Sequence, residues 1–316
     1  MNLNNILTEK RNPNTMNIDE LSSIDIIKMI NQEDKKVPAA VESILPEIAD
    51  MVDKIVNSFQ NGGRLIYVGA GTSGRLGVLD ASECPPTYGT DQSLVVGLIA
   101  GGLKALQLAV EGAEDDQEQA KEDIKNLYVS EKDCVIGIAA SGRTPYTISA
   151  IKQAKELGAT VGAVICSPHS EMANVADISM FVEAGPEVIT GSTRMKAGTA
   201  QKLVLNMLTT ASMIKIGKVY SNLMVDVQST NEKLRVRAKA IVAEATGISL
   251  ADAEDALRNN GSVKSAILSI VTGVKGNDVQ ETLNKHTGKL KAAIEELMKK
   301  NTNSACSKRR IKSAEE

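Results

Sequence analysis

Arg64-Leu65-Ile66-Tyr67-Val68-Gly69-Ala70-Gly71-Thr72-Ser73-Gly74-Arg75 joins a short apolar run to a glycine-rich turn that carries two hydroxyls. A run of that length suits a buried strand, and such a turn opens a helix whose first amide groups have no intrahelical partner. The rhythm recurs downstream, where apolar stretches at 93–100, 134–139, 160–166 and 178–182 are followed by small-residue loops and amphipathic segments. Strands alternating with helices predict a parallel sheet covered on both faces, with ligands beyond the carboxyl ends of the strands. The expected fold class is α/β, a three-layer αβα sandwich on a mostly parallel five-stranded sheet.

Upstream, residues 1–17 are polar and rich in Asn, while 18–30 and 37–59 carry helix-spaced apolar residues, which predicts a loop and two helices. Downstream, 192–218 reads as one long helix whose Leu203, Leu205, Met207, Leu208, Met213 and Ile214 supply core or dimer packing. After Val227 the strand signals stop. Segments 231–245, 249–259, 263–271 and 278–299 read as short helices, with Ser249 as an N-cap. The expected organisation is a sheet domain with N-terminal helices over 1–228, a small all-helical domain over 229–300, and a disordered tail over 301–316.

Composition narrows the function. The 316 residues are 42% hydrophobic, enough for a core, with a formal charge of -3. Lys and Arg are scattered, so the basic footprint of a nucleic-acid binder is missing and no nucleic-acid partner is expected. Aromatics are only 2% and Trp is absent, which argues against base-stacking platforms and indole-lined sugar sites. Polar and backbone groups must do the recognising. Cys84, Cys134, Cys166 and Cys306 have no metal-ligand spacing, and His169 and His286 are the only histidines, so no metal or redox cofactor is expected. Neither a leader nor an apolar run of membrane-spanning length is seen, which makes the cytoplasm the expected compartment and a membrane partner unexpected.

Three hydroxyl-bearing turns precede helices. The first contains Gly71, Thr72 and Ser73, the second Ser141, Gly142 and Thr144, and the third Ser192, Thr193, Arg194 and Lys196. The first matches a dinucleotide fingerprint, but the second strand ends Leu98-Ile99-Ala100-Gly101-Gly102, without the acidic residue that holds a ribose. Hydroxyls beside free amides suit a single phosphate or sugar hydroxyls instead. Each turn alone could be helix capping; three together point to a phosphosugar site. Arg194 and Lys196 are candidate partners for an anion or members of structural ion pairs.

Four stretches carry a more specific resemblance: Thr8-Glu9-Lys10-Arg11-Asn12-Pro13, 67–77, Asp80-Ala81-Ser82-Glu83-Cys84-Pro85-Pro86-Thr87, and 187–202. The chain resembles the N-acetylmuramic acid 6-phosphate etherase family of sugar isomerase (SIS) domain proteins. The resemblance implies elimination across an open-chain aldehyde, expelling lactate, followed by water addition, with one group as base and another as acid. It assigns Glu83 to protonate the leaving lactate, a role that fits the apolar setting expected at a helix end beside Cys84-Pro85-Pro86. Glu114, in the acidic patch 111–116 after a helix expected near Gly102, becomes the second acid-base residue. By residue type alone, an exposed Glu83 and a solvated Glu114 remain the plain alternatives. His169 lies on the ligand side of the sheet, where an ordinary loop histidine is the simpler account. The resemblance also implies a homodimer with sites near its interface. A non-catalytic phosphosugar sensor and a phosphosugar isomerase are the rival functions.

Overall fold

The computed structural model describes residues 7–227 and 232–300. The domain boundary expected at 228 and the tail expected from 301 lie outside the described residues. Two compact units are present, one formed by residues up to Cys84 with Asp91–Ser212, the other by Pro85–Thr90 with residues from Met213 onward.

In the first unit the segment expected to form two N-terminal helices divides further. Single 3-10 turns lead into α1 (Ser23–Asp34), α2 (Lys36–Glu42) and α3 (Leu45–Gln60). Helix α3 buries Ile48, Met51, Val52, Ile55 and Val56, one apolar stripe at helical spacing. The sandwich continues with β1 (Leu65–Gly69), α4 (Gly71–Tyr88), β2 (Val95–Ile99), α5 (Gln117–Asn126), β3 (Cys134–Ile138) and α6 (Pro145–Glu156). It closes with β4 (Thr160–Ile165), α7 (Glu171–Val175), β5 (Ile178–Phe181) and α8 (Lys196–Lys215). The five strands are ordered β2-β1-β3-β4-β5 and every pairing is parallel.

Side chains alternate across the sheet. Ile66, Val68, Val135, Val161, Ala163 and Ile165 pack with Ile124 of α5, Tyr146 and Ile151 of α6 and Met172 of α7. The opposite face meets α3 and α4: Gly162 lies under Met51, and Gly77 under Tyr67. Each of these buried Val, Ile and Met side chains contributes roughly 1.5–3 kcal/mol, so the sheet is a rigid base for the loops at its carboxyl edge.

Three expected helix limits are corrected. Helix α4 runs through Pro85 and Pro86 to Tyr88 instead of ending near Glu83. The helix expected near Gly102 is a single 3-10 turn, Gly102–Leu106, entered through positive φ at its cap Gly101 and at its first residue Gly102. Helix α8 begins at Lys196, four residues later than expected, because 191–195 form turns.

The second unit holds a short antiparallel pair, β6 (Val219–Tyr220) with β7 (Leu223–Met224), then α9 (Glu232–Thr246), α10 (Leu250–Asn260), α11 (Val263–Thr272) and α12 (Asn277–Lys285). Ser249 caps α10, its Oγ accepting the Asp252 amide at 3.1 Å. The single helix expected over 278–299 is two, with Thr287 and Gly288 in left-handed backbone between α12 and a last helix over 290–300. Val242, Ile267, Leu268, Val279 and Leu290 form its core. Among the described residues no helix is long and apolar enough to cross a membrane.

Candidate active site

Strands β1 and β3 are neighbours, with Gly69 opposite Ile138, so the turns that leave them open side by side at one edge of the sheet. In the first turn α4 starts hard against its strand. A methyl group on Gly74 would fall 2.6 Å from the Gly69 carbonyl oxygen, a space only hydrogen can occupy. Gly71 is exposed with φ +53, and Thr72 is half-buried. Ser73 is buried and its hydroxyl donates to Gln201 Oε1 at 3.0 Å, which commits the side chain and leaves only its amide for a ligand.

In the second turn, Gly142 has φ +64, and a methyl there would meet Ser170 Oγ at 2.3 Å. Ser141 Oγ accepts the Arg143 amide at 3.2 Å, a local turn contact. Thr144 occupies the N-cap of α6 with extended backbone, yet its side chain makes no capping bond. Capping therefore does not account for this half-buried hydroxyl.

The third turn reaches the first through side chains. A methyl on Gly198 would lie 3.5 Å from Thr72 Cγ2, and Gln201 of the same helix takes the Ser73 hydroxyl. Ser192 and Thr193 are half-buried and Arg194 is exposed. Two expectations change here. The start of α8 is already occupied by an anion of the chain itself, since Glu187, 1% exposed, accepts the Lys196 and Ala197 amides, each at 2.9 Å. Burial pushes the Glu187 carboxyl up, and those two amides pull it back down.

Lys196, expected to face the anion, is 1% exposed with its Nζ 2.8 Å from Glu33 Oε2. Burial alone would raise the Glu33 carboxyl, but bonds from Lys196 and Lys36 outweigh it and hold it at about 2. Of the two roles open to Lys196, the structural ion pair is the one its geometry adopts.

Glu114 lies on the 3-10 turn Ala113–Asp115 and is exposed. It lines a cavity of about 270 Å³ together with Gly71, Arg75, Val110 and Glu111, so its carboxyl stands beside the first turn. Arg75 holds the facing loop, donating to the Leu106 and Leu108 carbonyls at 3.1 and 3.4 Å.

Glu83 is elsewhere. It is exposed, and it stands about 18 Å along α4 from Gly71 at ~1.5 Å per residue. It lines a separate cavity with Asp80 and Lys202. The apolar enclosure expected at a helix end is not formed within one chain, because α4 continues past Glu83. A single chain therefore unites the three turns and Glu114 but does not bring Glu83 to them. His169 is exposed at the end of β4 with φ +52.

Three further groups were not singled out by sequence. Arg143 Nε is buried in the second turn with no hydrogen-bond partner among the described residues, a cation available to an anion there. Glu9 reaches the third turn, its Oε2 3.1 Å from where a Gly191 methyl would stand. Its segment is held by Asn12 donating to the Pro186 carbonyl and Thr15 to that of Val188. Asp80, beside Glu83, accepts from Tyr67 Oη at 3.1 Å and faces Thr209 Oγ1 at 3.2 Å. Burial pushes its carboxyl up to about 6, against the pull of those two hydroxyls and of the Lys202 charge. Among the described residues no group of three His, Cys, Asp or Glu side chains is arranged to hold a metal ion.

A parallel five-stranded sheet with hydroxyl-bearing turns at its carboxyl edge is a doubly wound α/β architecture, and the family matches make it that of a sugar isomerase (SIS) domain protein. Residues 47–155 match the glucokinase regulatory protein N-terminal SIS domain, and residues 113–211 match the SIS domain. In fold the chain is similar to a protein assigned as a phosphosugar isomerase involved in capsule formation, from Bacteroides fragilis NCTC 9343. The TM-score is 0.50 at 20% identity, over 64% of this chain and 95% of that one. Similarity in sequence reaches much further. An N-acetylmuramic acid 6-phosphate etherase of Actinobacillus pleuropneumoniae serotype 5b is 57% identical over 293 residues, 92% of this chain and 96% of the relative. One from Caldanaerobacter subterraneus subsp. tengcongensis is 55% identical over 93% of this chain and 96% of its own length. The chain belongs to the N-acetylmuramic acid 6-phosphate etherase family.

Proposed function

We infer that the chain is a carbon-oxygen lyase that cleaves the lactyl ether of N-acetylmuramic acid 6-phosphate, releasing D-lactate and N-acetylglucosamine 6-phosphate. The observation that carries this activity is identity of 57% across 92% of the chain with a relative of that name. A non-catalytic phosphosugar sensor on the same fold is not favoured. The reaction belongs to cell-wall amino sugar recycling or catabolism, and we place it in the cytoplasm.

The phosphate is bound by the amides of Gly71, Thr72 and Ser73, by Gly142 and the hydroxyl of Thr144, and by Arg143. Ser141, Ser192 and Thr193 grip phosphate or sugar hydroxyls. Helix starts favour an anion by ~0.3–1 kcal/mol each, more when partly buried, so neighbouring first and second turns act together. In the open-chain aldehyde, Glu114 removes the proton on carbon 2 and the electron pair forms the carbon 2–carbon 3 double bond. The carbon 3–oxygen bond breaks, and the lactate oxygen takes a proton from Glu83. Water then adds its hydroxyl to carbon 3 and a proton to carbon 2, restoring the saturated sugar.

This division requires Glu83 to meet the turns of a second copy, since it lies far along α4 from its own. We therefore propose a homodimer in which each site takes turns and Glu114 from one copy and Glu83 from the other.

Incubation with N-acetylmuramic acid 6-phosphate in deuterated water should yield lactate together with deuterium at carbon 2. Glu83→Ala should abolish lactate release while N-acetylglucosamine 6-phosphate still binds. Lactate release near the wild-type rate would remove Glu83 from the mechanism.

A further inference from the structure

Glu83 shares its cavity with a ready-made partner for a small carboxylate. The space is about 250 Å³, a groove between α4 and α8 open to solvent on the side of Leu79, Glu83, Lys202 and Asn206. That is less than the roughly 300–1,000 Å³ that holds a whole ligand, so it suits a fragment of a substrate better than a phosphosugar. Its walls are Leu76, Leu79 and Leu205, and its polar groups besides the two acids are Lys202 and Asn206. Lys202 and Asn206 are one turn apart on α8, and Asp80 and Glu83 one turn apart on α4, so both helices turn a polar pair toward the same space.

The Lys202 ammonium makes no ion pair or hydrogen bond among the described residues, although two carboxyl groups line the same cavity. Asp80 is engaged otherwise. One of its oxygens accepts from Tyr67 and the other faces Thr209, whose hydroxyl also reaches the Leu205 carbonyl at 3.2 Å. Both Asp80 oxygens are thus taken up by hydroxyl donors, Tyr67 on one and Thr209 on the other. Burial raises the Asp80 carboxyl to about 6, and the arrival of another carboxylate would favour its neutral form further. Lys202 is thus left free for an incoming anion.

We propose that this cavity seats the lactyl arm of the substrate, with the Lys202 ammonium on its carboxylate, the leucines against its methyl group and Glu83 at the ether oxygen. The inference rests on the etherase reading and deepens it. In a lactyl ether the carboxylate and the ether oxygen are attached to the same carbon. A cation that fixes the first therefore places the second within reach of a group lining the same small space. Asn206 supplies an additional amide donor to the carboxylate.

The test compares kcat/KM for N-acetylmuramic acid 6-phosphate and for its lactamide analogue, in which the carboxylate is a neutral carboxamide. Wild-type enzyme should prefer the acid by roughly 10- to 100-fold, the size of one charge-assisted hydrogen bond. In Lys202→Gln the ratio should fall to about 1, and Lys202→Arg should restore part of it. A Lys202→Gln enzyme that keeps the wild-type preference, or that loses both substrates equally, overturns the subsite. Wild-type enzyme that binds the phosphosugar yet releases neither lactate from the acid nor lactamide from the analogue overturns the etherase reading, and the subsite with it.

Discussion

At residue scale, Asp80 is the group whose charge should be visible in the stability of the protein. Its carboxyl is raised from an ordinary 3.8 to about 6, with burial as the leading cause. Between those values the folded chain holds a proton that the unfolded chain has released. The resulting stabilisation is fully present below about 4, declines as pH rises through 6, and is lost above it. Asn at this position keeps an acceptor for Tyr67 and can donate its amide to Thr209 Oγ1 while that hydroxyl donates to the Leu205 carbonyl, all without charge. Asp80→Asn should therefore match wild type near pH 4 and be more stable by on the order of 2 kcal/mol at pH 8, read from urea melts at the two pH values. A gap that does not change with pH would mean that Asp80 does not titrate in this range. Asp80 opens one of the stretches that carry the family resemblance, but nothing in the sequence shows its burial, because its neighbours Tyr67 and Thr209 come from a strand and a helix far apart in the chain. Glu83 and Glu114 were legible only through family resemblance; by residue type each was one acid among 39.

At the scale of elements, α8 is held to the N-terminal segment by a buried ion pair. Lys196 at its first residue bonds Glu33 near the end of α1, and Glu187 caps the same helix start. Removing Lys196 leaves Glu33 buried with Lys36 and Asn14 as its remaining partners, whereas replacing both Lys196 and Glu33 by apolar groups can be nearly neutral. Lys196→Met should accordingly cost about 1.5–3 kcal/mol in a urea melt, the size of one lost hydrogen bond to a charged group. The double variant Glu33→Leu/Lys196→Met should recover most of that loss, and equal losses in the single and double variants would refute the pairing. The five strands were legible to within a residue or two, since apolar runs bounded by glycine turns report burial directly. Helix limits were less so. Pro85 and Pro86 read as a stop, yet α4 continues; Glu187 caps α8 through space, across nine residues that show no capping pattern. The break at Thr287–Gly288 falls inside a run that reads as one helix, because a lone glycine is tolerated in a helical pattern.

At the scale of the whole molecule, one copy holds the two proposed carboxylates apart. Glu114 stands beside the first turn, while Glu83 opens onto the space between α4 and α8. A homodimer in which each copy completes its partner's site makes a prediction that no single-chain arrangement shares. Glu83→Ala and Glu114→Ala enzymes should each be inactive. Unfolded together in equal amounts and refolded, about half of the dimers should be mixed, and each mixed dimer holds one site with both carboxylates intact. Lactate release should then return to about a quarter of the wild-type rate per chain. If both carboxylates acted within one chain, every site in the mixture would lack one of them and no activity would return. Sedimentation of the same mixture fixes the interpretation, because a monomer at working concentration rules out the shared site whatever the rate.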